Sequence, residues 1–247
     1  MTSREEVLRE LGLVPEWRLR RRDVAAAQDA GESVERAPTA PPPTAATRLE
    51  RIATLGWDAF AADVEACTAC GLCRTRNRAV PGVGDVRAQW MLIGEAPGAE
   101  EDARGEPFVG QAGKLLDNML GALGMNRRDN VYIANVLKCR PPGNRTPAPV
   151  EVDACRPYLE RQIALIRPRL IVALGKSAAS LLLGSDASIA SLRGRVHRFR
   201  DVPLVVTYHP AYLLRSLQEK AKAWEDLLFA RRTLAASLSE AGAAADE

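Results

Sequence analysis

Four apolar runs, QWMLIG (89–94), VYIANV (131–136), LIVALG (170–175) and PLVVTY (203–208), limit what this chain can fold into. None alternates as a strand with one wet face does, so each reads as a strand covered on both sides. Helical patterns separate and follow them, at about 112–123, 149–166, 176–183 and 218–238. Strands alternating with helices predict an α/β fold: a three-layer α/β/α sandwich around a central, four-stranded, mainly parallel sheet. In such sheets ligands sit where the strands end at their carboxyl side. The residues after each run are therefore the place to look for chemistry.

The first run leads into GEAPGAEEDARGEPFVGQAGKLL (94–116). Gly94, Pro97 and Gly98 make a tight loop whose backbone N–H groups can face a ligand. The glycine spacing is not G-x-G-x-x-G, and the acids at 100–102 would repel a pyrophosphate, so a dinucleotide loop is a poor reading. After the second run come Asn135 and then KCRPPGNRTP (138–147), an ordered loop whose Lys138, Arg140 and Arg145 suit phosphates. Taken singly, Asn135 reads better as a strand-end cap and the cations as a solvated face. After the fourth run, TYHPAYLLR (207–215) carries His209, one of only two histidines. A histidine beside an apolar run is usually structural; several such segments meeting at one sheet edge favour a site.

Three of the five cysteines crowd into CTACGLC (67–73). Cys67 and Cys70 form a C-x2-C pair, Cys73 follows, and Cys139 and Cys155 lie far along the chain. A zinc ribbon needs a second tight pair, which is missing. A redox C-x-x-C belongs beside the reactive end of a strand–helix unit, and this one precedes the first strand. Distant thiolates can also hold an iron–sulfur cluster. Spacing alone leaves zinc and iron–sulfur close to even.

Among 247 residues, 47% hydrophobic and 26% charged, there is material for one good core, and a net charge of +3 permits a polyanion partner without requiring one. No apolar run reaches the roughly 18 residues of a membrane span. MTSREEVLRELG carries acids where a signal peptide has a basic start, so the expectation is a cytoplasmic protein with reduced thiols. Residues 1–23 read as a helical segment, with Val7, Leu8, Leu11 and Leu13 near helical spacing and Trp17 and RLRRR behind them. Residues 24–48, rich in alanine and proline, read as a disordered linker, 49–240 as the folded domain and 241–247 as a disordered tail.

GEAPGAEED, PFVGQAGKLL, YIANVLKCRPPGNRTP and TYHPAYLLR, in this order between about Cys67 and Trp224, resemble the family 4 uracil-DNA glycosylases, the iron–sulfur branch of that superfamily. The resemblance implies hydrolysis of the N-glycosidic bond of uracil in single- or double-stranded DNA. It also implies a structural [4Fe–4S] cluster on Cys67, Cys70, Cys139 and Cys155, with Cys73 as the spare thiol. Gly94, Glu95, Ala96, Phe108, Asn135 and His209 would hold the uracil, with Phe108 stacking, Asn135 reading the Watson–Crick edge and His209 donating to O2. Glu101 is the candidate wall against a C5 methyl, because relatives with a tyrosine wall carry it where this chain has Gly98. Ala96 stands where other members carry a water-positioning aspartate. DNA contacts are expected from Lys138, Arg140, Arg145, Tyr212, Leu213, Leu214 and Arg215, one of the two leucines being core. The expected protein is a monomer with no membrane contact, its N-terminal arm docking on a protein partner.

Overall fold

The computed structural model describes residues 45–243. The four runs become parallel strands β2 (Trp90–Gly94), β3 (Val131–Asn135), β4 (Leu170–Leu174) and β6 (Val202–Thr207). Two short antiparallel edges complete a six-stranded sheet in the order β1-β3-β2-β4-β6-β5: β1 (Val83–Gly84) on β3, and β5 (His197–Phe199) on β6. Strands of two and three residues are too brief to show a period, and neither edge was expected from the sequence.

Alternation along the strands feeds two cores. On one face Met91, Ile93, Ile171, Ala173, Leu204 and Val206 pack toward α5 (Pro149–Ile166) and α6 (Lys176–Leu183). On the other, Trp90, Leu92, Val172 and Val205 meet Leu116 and Leu120 of α4 (Gln111–Ala122) and Leu227 of α9 (Lys220–Ala243). A side-chain period of two thus makes the three layers. Both faces are covered, which is why these strands lack a polar side.

A third apolar cluster lies outside this sandwich. Ile52 of α1 (Ala45–Thr54) and Phe60 and Val64 of α2 (Trp57–Glu65) pack with Tyr158 of α5. Helix α1 starts four residues inside the segment read as linker, and α9 runs to Ala243, three residues into the segment read as tail. The remaining N-terminal and C-terminal expectations lie outside the described residues.

The acids after β2 are helical as well. Glu100, Glu101 and Asp102 form the first turn of α3 (Ala99–Arg104), where the helix dipole favours negative charge. Asp102 is buried and accepts from the Asn77 backbone at 2.9 Å and from its side chain at 2.6 Å.

Candidate active site

All four parallel strands end at one edge of the sheet, and Gly94 of β2 is in register with Asn135 of β3. The chain leaving β3 stays beside the loop leaving β2, with Val136 N–H donating to Gly94 O at 2.9 Å and Leu137 N–H to Glu95 O at 3.1 Å. A cavity of about 480 Å³ opens here. Its walls come from the loop after β2 (Glu95 to Gly98), the first turn of α3 (Glu101), the approach to α4 (Phe108), the end of β3 (Asn135) and the turn after β6 (His209, Tyr212, Arg215).

Asn135 is 2% exposed, yet its Oδ1 accepts no hydrogen bond. An unpaired buried acceptor costs on the order of 1–3 kcal/mol, so one kept at a cavity wall is waiting for a donor. Gly94 gives this amide its place. A Cβ there would lie 2.5 Å from Asn135 Oδ1 and 2.6 Å from Phe108 Cζ, so any side chain would push both out.

Phe108 holds a left-handed backbone, φ 55°, costly for a non-glycine residue. Its surroundings enforce it. Arg127, paired with Asp117 (Nε–Oδ1 2.8 Å), donates to Phe108 O at 2.9 Å, and at Gly113 a Cβ would sit 1.7 Å from that same oxygen. The ring is thereby turned to the cavity and lies 5.5 Å from the His209 imidazole, 30° from parallel.

His209 caps the short helix α8 (Pro210–Leu213), its Nδ1 accepting from Ala211 N–H at 3.1 Å. An accepting Nδ1 leaves the proton on Nε2. Burial, aided by the Arg215 charge and opposed by Glu101, holds its pKa down to about 4, so at neutral pH the ring is an uncharged donor.

Glu101 lines the cavity, but its carboxylate is tied to the backbone. Oε2 accepts from Gly98 N–H at 3.1 Å, and Oε1 from Val109 and Gly110 N–H at 2.9 and 3.1 Å. It pins the loops on either side of Phe108, and both oxygens are occupied.

Two of the expected DNA contacts are corrected. Lys138 is 1% exposed and points inward, its Nζ donating to Asn135 O at 2.8 Å and to Gln162 Oε1. It cannot reach a phosphate. Leu213, 1% exposed, is the core leucine of its pair, whereas Leu214 and Tyr212 are 42% and 40% exposed. Arg145 lies at the cavity but forms a two-toothed pair with Glu151 at 2.9 and 2.5 Å, and Arg140 donates to Asn144 Oδ1 at 2.7 Å. Asn144 and Pro141 also line the cavity; neither was singled out from the sequence.

On the far side of Lys138, the five cysteines ring one small cavity, and all five are free thiols. Among the described residues no three His, Cys, Asp or Glu groups are set to hold a single metal ion. The sulfurs are nonetheless met by donors: Arg76 reaches Cys139 Sγ at 3.1 Å, Lys138 N–H reaches Cys155 Sγ at 3.3 Å, and Arg48 reaches Cys67 Sγ at 3.6 Å. Burial pushes the Cys155 thiol up to about 12 and also raises Cys139, where the Arg76 bond and charge resist it. Arg48 falls in the stretch read as linker and Arg76 follows no periodic pattern, so neither could be found by spacing. A thiol-only donor set ringed by cations and N–H groups, whose sulfurs line a cavity without three of them set on a single ion among the described residues, fits an anionic iron–sulfur group.

This fold and this pocket define a class. The family model described as the Uracil DNA glycosylase superfamily matches residues 81–228. Curated relatives narrow it. A "Type-4 uracil-DNA glycosylase" of Archaeoglobus fulgidus is 45% identical over 165 residues, 64% of this chain and 82% of the relative. One of Thermotoga maritima is 46% identical over 155 residues, 62% and 80% of the two chains. A "Type-5 uracil-DNA glycosylase" of Pyrobaculum aerophilum is more distant, 36% identical over 153 residues, 56% and 67% of the two. The chain belongs to the type-4 uracil-DNA glycosylase family.

Proposed function

We infer that this chain hydrolyses the N-glycosidic bond of uracil in DNA, leaving an abasic site, with the pocket residues dividing the work as follows. The target base leaves the stack and enters the cavity against the Phe108 ring. The Asn135 amide offers an acceptor to N3–H and a donor to O4, a pair that mismatches cytosine. As the C1′–N1 bond breaks, its electrons move onto the base, and the neutral His209 Nε2–H donates to O2. Such a donor is worth about 3–4 kcal/mol in the transition state. Water then attacks C1′ and gives its proton to solvent. Ala96 supplies no base and the Glu101 oxygens are engaged, so the reaction is largely dissociative. Among the described residues no lysine lines the cavity to act as a nucleophile, which suits a monofunctional enzyme.

The carrying observation is the orphan Asn135 Oδ1 facing a fixed-tautomer histidine across one cavity. Cleavage of oligonucleotides bearing uracil opposite A, opposite G and unpaired tests the reading. Asn135→Ala should lose rate and free-uracil inhibition together, and unchanged inhibition would remove Asn135 from base reading. A [4Fe–4S] cluster on Cys67, Cys70, Cys139 and Cys155 would supply structure, since hydrolysis transfers no electron; Cys73 is the spare thiol. The exposed Tyr212 and Leu214 would fill the gap left by the flipped base, with Arg215 and Arg140 on phosphates. Residues 1–23 are proposed as a docking arm, joined to the catalytic domain through the alanine- and proline-rich stretch that follows. No helix among the described residues is long and apolar enough to cross a membrane. A monomer working in the cytoplasm suits a DNA substrate and free thiols.

A further inference from the structure

The segment Asn135–Cys139 carries the base-reading amide at one end and a cage thiol at the other, and Lys138 between them hydrogen-bonds the Asn135 backbone on one side and a second cage thiol, Cys155, on the other. Its ammonium folds back three residues to the Asn135 carbonyl at 2.8 Å, while its own backbone N–H meets Cys155 Sγ at 3.3 Å. The second ammonium contact, Gln162 Oε1, belongs to α5, the helix that carries Cys155. Gln162 is held in turn, donating to Pro81 O at 2.6 Å and to the Tyr132 hydroxyl at 3.0 Å. Among the described residues the lysine bonds no carboxylate; what stands beside it is the cage, with Cys155 Sγ on its backbone N–H and Cys139 next in the chain.

A buried ammonium with neutral acceptors is expensive unless a negative charge stands near. Four thiolates around an iron–sulfur group supply one. We propose that Lys138 is a positioning residue that couples the thiol cage to Asn135, so that the charge held in the cage fixes the strand end that reads uracil. Without that charge the ammonium loses its reason to stay, and the Asn135 carbonyl and Gln162 lose their donor. The coupling is reciprocal: uracil held by Asn135 must perturb the cage through the same atoms. This inference rests on Asn135 reading the base.

The test uses the full chain as purified, with free uracil as the probe and the visible circular dichroism of the cluster as the readout. In the unmodified protein the visible bands should change as uracil is added, with the midpoint of the change at its inhibition constant. No change would overturn the proposal without any variant. Lys138→Met should keep its iron but lose that response, and its uracil inhibition constant should rise about 10-fold or more while kcat falls less. A wild-type response and inhibition constant in Lys138→Met would also overturn it. Should Lys138→Met fail to retain iron, Gln162→Met removes the lysine's other partner and leaves every thiol in place. A weakened uracil response there supports the link, and an unchanged one refutes it. Asn135→Ala separates the two layers: if it spares uracil inhibition the base-reading assignment fails, and if it alone abolishes inhibition only the link through Lys138 fails.

Discussion

The uracil pocket and the thiol cage sit on either side of one short segment and solve opposite problems. The pocket is roomy, and a polar atom in its wall, Asn135 Oδ1, is left without a partner. In the cage three of the five sulfurs already accept from a cation or a backbone N–H. A site for a transient guest keeps its hydrogen bonds in reserve, whereas a site for a permanent one commits them. The pocket's incompleteness is affordable because the segment beneath it is anchored by the cage.

The most severe way to break this contrast is to empty the cage. Cys67→Ala, Cys70→Ala, Cys139→Ala and Cys155→Ala should each lose the brown colour near 400 nm and most of the soluble protein, while Cys73→Ala keeps both. Iron content and absorbance check this, and a bleached Cys73→Ala beside a coloured Cys67→Ala would reverse the ligand assignment.

Damage to the pocket should cost rate and spare the fold. His209→Ala is expected to slow single-turnover cleavage about 100-fold or more with little change in DNA affinity. Acid probes the same residue. A folded pKa near 4 keeps the ring neutral through mild acid, so the acid limb of the rate should fall near pH 4 rather than near the ordinary histidine value of about 6.5. The stability consequence has the same direction. The unfolded chain takes the proton first, so this contribution is whole above about pH 6.5 and is lost as pH drops toward 4. His209→Gln should remove that slope from the pH dependence of the melt.

Glu101 sharpens the contrast, because it is a pocket residue built like a cage residue, with every oxygen engaged. Glu101→Gln keeps an acceptor for Val109 and Gly110 but loses the one for Gly98. It should lower kcat/KM about 10-fold and relax rejection of 5-substituted uracils, and unchanged discrimination would end its assignment as the C5 wall. The smallest effect is expected from deleting residues 1–43, which stops short of α1. Cluster, melt and cleavage of a short oligonucleotide should stay within error, and loss of the cluster would place those residues in the core.

The four central strands were legible because each is a covered apolar run, and α5 and α6 because residues that start or stop helices bound them, Pro149 at the head of α5 and Gly184 past the end of α6. The edges β1 and β5 were not, being shorter than any period. Glu95, Ala96, Phe108, Asn135 and His209 were reached through motifs, and the structure brings all five to one cavity. Lys138 was misread because a sequence shows a charge and not its direction. In a loop with Arg140 and Arg145 it looks like a phosphate contact, and only the packing of α5 turns it inward. Leu213 and Leu214 differ for the same reason, since a helix of four residues has too few side chains to reveal a buried face.

The order of residues along the chain also orders events during synthesis. Cys67, Cys70, Cys139 and Cys155 all precede His209 in the sequence, as do Phe108 and Asn135. From Cys155 to His209 the ribosome adds 209 − 155 = 54 residues, which takes about 3–11 s at roughly 5–20 residues per second. A nascent chain therefore owns every thiol of the cage and nearly every group that recognises the base for several seconds before it owns the donor that breaks the bond.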